Sequence, residues 1–129
     1  MKALKKERFN MQFQTDKAIY IQIADFVKEK ILRQEWLKDE KITSVRELAG
    51  EIEVNPNTVM RAYDSLQQQE IIYNKRGLGF FVAGNAEERI TAERKEYFIE
   101  NELPHLFRTM ELLQISITEI TTIYLNRKK

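Results

Sequence analysis

Between Ser44 and Gly79 the chain carries side chains that can hydrogen-bond and ion-pair but are poorly suited to breaking covalent bonds. They fall in three groups: Ser44 with Arg46, then Asn55, Asn57, Thr58 and Arg61, then Lys75 and Arg76 followed by Gly77 and Gly79. Arginine presents a planar fork of donors that fits a phosphate or a purine edge in bidentate fashion. Asparagine and threonine supply both a donor and an acceptor, and glycine lets a backbone approach closely. Catalytic combinations are missing. Cysteine is absent, His105 is the single histidine, and no glycine-rich phosphate loop follows a strand. Glu87, Glu88, Glu93 and Glu96 read more simply as a solvated helix face than as paired catalytic carboxylates. Neither an enzyme, a cofactor nor a metal site is therefore expected.

Each group also has a plainer explanation. Any amphipathic helix needs a polar outer face, which would account for Asn57, Arg61, Asp64 and Gln68. Arg46 could be tied up in a surface salt bridge with Glu47 or a neighbour. Lys75 and Arg76 could simply solvate a turn. The three groups gain weight only if one fold presents them together.

The surrounding pattern supplies such a fold. Tyr20, Ile23, Ala24, Val27 and Ile31 recur at helical spacing, which predicts a helix over about 16–34. Residues 35–43 break the period and read as a connector, with Trp36 and Leu37 as core plugs. Ser44 and Glu47 form an S-x-x-E capping box, and Val45, Leu48, Ala49 and Ile52 give the second helix one apolar face. The third helix starts at Asn55, a good N-cap, with Pro56 at the first helical position and Val59, Ala62, Tyr63 and Leu66 facing inward. Val54 and Val59 are spaced as a hydrophobic staple. Ile71, Ile72 and Tyr73, then Phe80, Phe81 and Val82, are β-favouring runs joined by a loop holding Gly77 and Gly79. Three helices and a hairpin with a basic tip make a winged helix-turn-helix, so the fold class is mainly α with a small β-hairpin.

This predicts an N-terminal arm over 1–15, the winged domain over 16–84 and a helical segment over 85–129. The arm carries Lys2, Lys5, Lys6 and Arg8, either as a loose solvated end or as a nucleic-acid-touching extension. In the tail, Leu103, Leu106, Met110, Leu113, Ile117, Ile120 and Tyr124 alternate at spacings of three and four, an a/d seam expected to pair two copies. Pro104 implies a kink or restart. Ser116 and Glu119 repeat the capping-box pattern, which favours a break near Gln114 over one continuous helix.

Composition narrows the setting without deciding the function. At 129 residues with 43% hydrophobic and 32% charged residues, the chain suits one domain and a small appendage. Residues 1–84 carry 14 basic against 12 acidic side chains, net +2, and residues 85–129 carry 7 against 8, net −1. No strongly basic patch stands out at that scale. No apolar run approaches the ~20 residues that span a bilayer. The basic start has no apolar stretch of the kind a signal peptide needs, and cysteine is missing, so a cytoplasmic, non-membrane protein is expected.

The segments Ala18–Ile23 (AIYIQI), Ile42–Ala49 (ITSVRELA), Val54–Tyr63 (VNPNTVMRAY) and Arg76–Val82 (RGLGFFV) resemble the winged-helix domain of GntR-family bacterial transcription regulators. The resemblance covers about half of the chain. It implies a DNA-binding regulator, with operator contacts carried over most directly to Arg46, Thr58, Arg61, Gly77 and Gly79. Thr43 stands where that family usually has proline, and Pro56 and Met60 stand where basic residues are common, which alters the expected operator contacts. The tail is too short for the large effector domains of many members, and with one histidine it lacks a His-rich metal pocket. A short helical tail after Arg61-Ala62-Tyr63 is similar to the YtrA subfamily, whose members are dimers and of which some regulate transporter operons. The resemblance thus implies a homodimer on a pseudo-palindromic duplex operator, with repression as the expected sign. A winged helix used for protein contacts alone, or one binding RNA, are the competing readings. Steep salt dependence and a duplex DNA against RNA titration separate them.

Overall fold

The computed structural model describes Met11, Phe13 and residues 17–127. The basic residues of the expected arm, Lys2, Lys5, Lys6 and Arg8, lie outside the described residues. Met11 and Phe13 are half-buried against the core. The chain divides into two compact units, the first ending at Thr91 and the second spanning Ala92–Lys129.

In the first unit, α1 (Ile19–Leu32) buries Ile23, Ala24, Val27 and Ile31 as one stripe. It starts later than the periodicity predicts, after Ala18, which offers no side-chain cap. Helix α2 (Val45–Ile52) opens on the expected capping box: Glu47 N–H donates to Ser44 Oγ at 3.1 Å and Ser44 N–H to Glu47 Oε1 at 3.4 Å. It stops at Glu53, whose φ of 57° is left-handed. Helix α3 (Pro56–Gln68) begins after Asn55, whose Oδ1 accepts from Asn57 N–H at 2.8 Å. Val59, Ala62, Tyr63 and Leu66 are its fully buried face.

The hairpin pairs β1 (Ile72–Lys75) with β2 (Gly79–Val82), Ile72 opposite Val82 and Lys75 opposite Gly79. The connector is more ordered than its sequence suggests. Lys41 bridges Phe81, Ile42 N–H donates to Phe80 O at 2.9 Å and Val82 N–H to Glu40 O at 3.0 Å, so residues 39–42 line the free side of β2. Trp36 packs on the core as expected, but Leu37 does not: it is 43% exposed, in the turn before the left-handed Asp39. Tyr63 ties these pieces together. Its ring meets Phe80 edge-on at 5.1 Å and its hydroxyl donates to Thr43 O at 2.6 Å. Burial, and secondarily the Glu47 charge, pushes the phenol well above its ordinary pKa.

The core does not end at Gly84. Helix α4 (Ala86–Tyr97) turns Ala86 and Ile90, four residues apart, into the same core, and Arg89 pairs with Glu70 at 3.2 Å. The winged unit therefore takes in the first turns of α4, beyond the boundary expected at 84.

In the second unit, α4 runs into a π-helical turn (Phe98–Glu102) and then α5 (Leu103–Leu113), with Pro104 at its start. A widened turn is one way a helix accommodates the N–H that proline lacks. The expected break follows: Gln114 is left-handed, with φ 57°, and α6 (Ile117–Asn126) starts on a second capping box, Glu119 N–H to Ser116 Oγ at 3.1 Å. Among the described residues no helix is long and apolar enough to cross a membrane.

Candidate nucleic-acid interface

Arg46 sits in the first turn of α2, exposed and without an ion-pair partner among the described residues. The neighbour that could have neutralised it, Glu47, holds the Ser44 N–H instead. The guanidinium is thereby left for an external acceptor. Ser44 is engaged by the cap through its Oγ lone pair, while its hydroxyl proton can still donate.

Helix α3 separates its faces cleanly. Against the buried Val59, Ala62, Tyr63 and Leu66 stand exposed Asn57, Arg61, Asp64 and Gln68. Thr58 is half-buried and Met60, between the faces, packs on the core edge. Asn55 is partly spent: its oxygen is the helix cap, leaving its amide N–H groups as donors. Arg61 lies over the ring of Tyr20, 4.1 Å from its centroid. Pro56 supplies a pre-set φ and no donor at the position where the helix would otherwise leave an N–H unpaired.

The hairpin tip carries Lys75, Arg76, Gly77 and Leu78, all exposed. Behind it the strands are stiffened by a stack. Tyr73 and Phe81 lie 5.7 Å apart at 22°, Lys75 Nζ sits 4.7 Å from the Phe81 centroid, and Tyr73 OH donates to Asp39 Oδ1 at 2.9 Å. That hydrogen bond, more than burial or charge, raises the Tyr73 pKa above its ordinary value. Gly77 has φ +79° and Gly79 φ +116°, conformations that suit glycine, and a Cβ on Gly79 would meet Lys41 Cε at 3.0 Å. The second glycine is thus required by the chain itself. Lys41 adds a third cation beside Lys75 and Arg76 on the hairpin, and it was not among the expected site residues. The alternation of exposed Lys41 with buried Ile42 is the only local trace of the strand-like segment that places it.

In the tail, the residues expected to pair two copies are distributed over two helices. On α5, Met110 is buried, Leu103 half-buried, and Leu106 and Leu113 exposed; on α6, Ile120 is half-buried and Ile117 and Tyr124 exposed. The break at Gln114 divides the seam into two short rows. Phe107, Leu112, Ile123 and Leu125 are also exposed and lie off those rows. A groove of about 640 Å³ runs between Phe107, Met110, Ile115 and Ile117.

Residues 19–82 match the family described as bacterial regulatory proteins, gntR family. The chain is 40% identical over 95 residues to the HTH-type transcriptional regulator YhcF of Bacillus subtilis, covering 69% of this chain and 78% of YhcF. It is also 40% identical over 88 residues to the HTH-type transcriptional repressor YtrA of the same organism, covering 68% of this chain and 67% of YtrA. A crystal structure of a GntR-family transcriptional regulator from Bacteroides thetaiotaomicron superimposes with a TM-score of 0.73 and 47% identity, over 87% of this chain and all 100% of that one. The DNA-binding domain of AraR in complex with operator ORX1 superimposes with a TM-score of 0.51 and 28% identity, over 56% of this chain and 93% of that one. These proteins are transcription regulators, not enzymes.

Proposed function

Because the chain belongs to the gntR family of bacterial regulatory proteins, a family of transcription regulators with a winged DNA-binding domain, we propose that it is a repressor. In this reading it acts in the cytoplasm as a homodimer on a pseudo-palindromic duplex operator.

The observation that carries the reading is the set of exposed donors on three segments of one unit. Arg46 opens α2 without an ion-pair partner among the described residues, the outer face of α3 offers Asn57 and Arg61, and the hairpin ends in Lys75 and Arg76. The inner side chains of all three segments meet in one core. Recognition helices in helix-turn-helix proteins lie in the major groove and read bases with their early residues, while a wing and neighbouring cations take phosphates. AraR, whose domain resembles this one, is seen on an operator, and YtrA is a repressor. The homodimer is supported by the apolar rows that the tail leaves exposed, since a solvent-facing stripe of that kind normally marks an interface. Two-fold pairing then sets two recognition helices on two half-sites.

Selection of binding sequences from a random duplex pool, followed by titration over a range of salt, tests the reading. Enrichment of an inverted repeat bound with a steep salt slope is expected. Equal binding to RNA, or no enrichment with salt-insensitive capture of a protein, would overturn it.

A further inference from the structure

Arg61 is the single cation on α3, and its guanidinium is held by an aromatic ring rather than by a carboxylate. Asp64, three residues on, forms no ion pair with it. The ring belongs to Tyr20 of α1, a residue half-buried against the core on a helix that packs along α3. We propose that Tyr20 is a positioning residue for DNA recognition: a rigid platform that holds the Arg61 fork ready for a bidentate acceptor on the duplex. The proposal rests on the DNA-binding reading above.

A guanidinium over an aromatic face keeps its donors along its own plane, so the stack occupies a face of the group and leaves its N–H edge free. An arginine already held in this way loses less conformational freedom on binding than one sweeping through solvent. Anchoring to the core makes the platform more effective, because Tyr20 does not have to be ordered at the same time. Two acceptors on duplex DNA match the fork, the O6/N7 edge of guanine and a pair of phosphate oxygens.

The test is a double-mutant cycle on the intact chain, using the duplex recovered by selection, with melting temperatures measured alongside. Tyr20→Leu should weaken binding about 3- to 10-fold, the scale of one ordered side chain. Tyr20→Phe keeps the ring and should restore binding to within about twofold of the wild type, a loss smaller than that scale. In an Arg61→Ala background the Tyr20→Leu loss should disappear, which a merely structural role would not produce. Should Tyr20→Leu prove too unstable, Tyr20→Met fills similar space without a ring and serves in the same cycle.

An undiminished Tyr20→Leu loss in the Arg61→Ala background would overturn the proposal. So would Tyr20→Phe binding as weakly as Tyr20→Leu, because the hydroxyl would then touch DNA itself. Wild-type binding that Arg61→Ala leaves unchanged overturns the platform while sparing the DNA-binding reading, whereas a wild type that binds no duplex overturns both. Within the supporting outcomes the two acceptors separate. A guanine contact relaxes preference at one base pair, and a phosphate contact lowers the salt slope by about 1 without changing preference.

Discussion

The two units use apolar periodicity to opposite ends. In the first, Val59, Tyr63, Leu66 and Ile90 are fully enclosed, drawn from α3 and from the start of α4 into one core. In the second, spacing just as regular leaves Leu113 61%, Ile117 64% and Tyr124 57% exposed, and Met110 alone of the expected row is buried. An apolar stripe states that a helix face needs covering, not what covers it. The winged unit has enough elements to cover its own stripes. Two short helices after a π-helical turn do not, and their rows stay exposed.

The largest effect should come from breaking that second surface. Leu113→Glu combined with Ile117→Glu should give monomers by analytical ultracentrifugation, with operator affinity down ~100-fold or more as the two linked domains lose their avidity. A wild type that sediments as a monomer at micromolar concentration yet binds its full operator tightly would erase the contrast between the units. Next in size is the boundary between closed and open packing. Ile90→Ala should cost ~2–5 kcal/mol of stability, as large-to-small changes in a core do. A chain cut after Gly84 should melt well below one cut after Thr91, in thermal denaturation followed by circular dichroism. Equal melting would return the end of the core to Gly84.

Exposed cations of the closed unit should separate binding from folding. Arg46→Ala and Arg61→Ala should each cost ~1–3 kcal/mol in operator titrations. Their melting temperatures should stay near the wild type, since exposed positions usually change stability by less than ~0.5 kcal/mol. Lys75→Ala with Arg76→Ala should lower affinity for all sequences and flatten the log-log salt slope by up to ~2 units, and adding Lys41→Ala should remove about one more. An unmoved slope would place the hairpin away from DNA. The smallest effect is a gain. Glu53→Gly relieves a left-handed conformation at the turn between α2 and α3 and should raise stability by ~1 kcal/mol.

Features written in short stretches of chain were legible in the sequence. Both capping boxes, Ser44 with Glu47 and Ser116 with Glu119, need only residues three apart, and both start helices where expected. The inner face of α3 and the hairpin follow from periodicity for the same reason. The features that escaped depend on distant partners. Lys41 belongs to the hairpin because it pairs with Phe81 forty residues on, and Ile90 belongs to the core because α4 packs there. Leu37 looked like a plug by hydrophobicity, but the turn before Asp39 points it outward. The Arg61–Tyr20 contact joins two helices whose sequences, taken singly, show only a polar face and the edge of an apolar one.

The π-helical turn at Phe98–Glu102 bears on the helix that continues from it. Such a turn typically accommodates one residue more than regular α-helix does, and a single residue advances a helix by about 100°. Within the second unit, the angular phase of Leu103, Leu106 and Met110 is thereby offset from that of Glu93 and Tyr97, which precede the turn. A one-codon deletion within the turn would rotate the whole α5 row by roughly that angle while leaving its composition intact. In a lineage of such regulators this stretch would act as an indexing step, at which an insertion or deletion re-aims the apolar row of α5 without changing any of its residues.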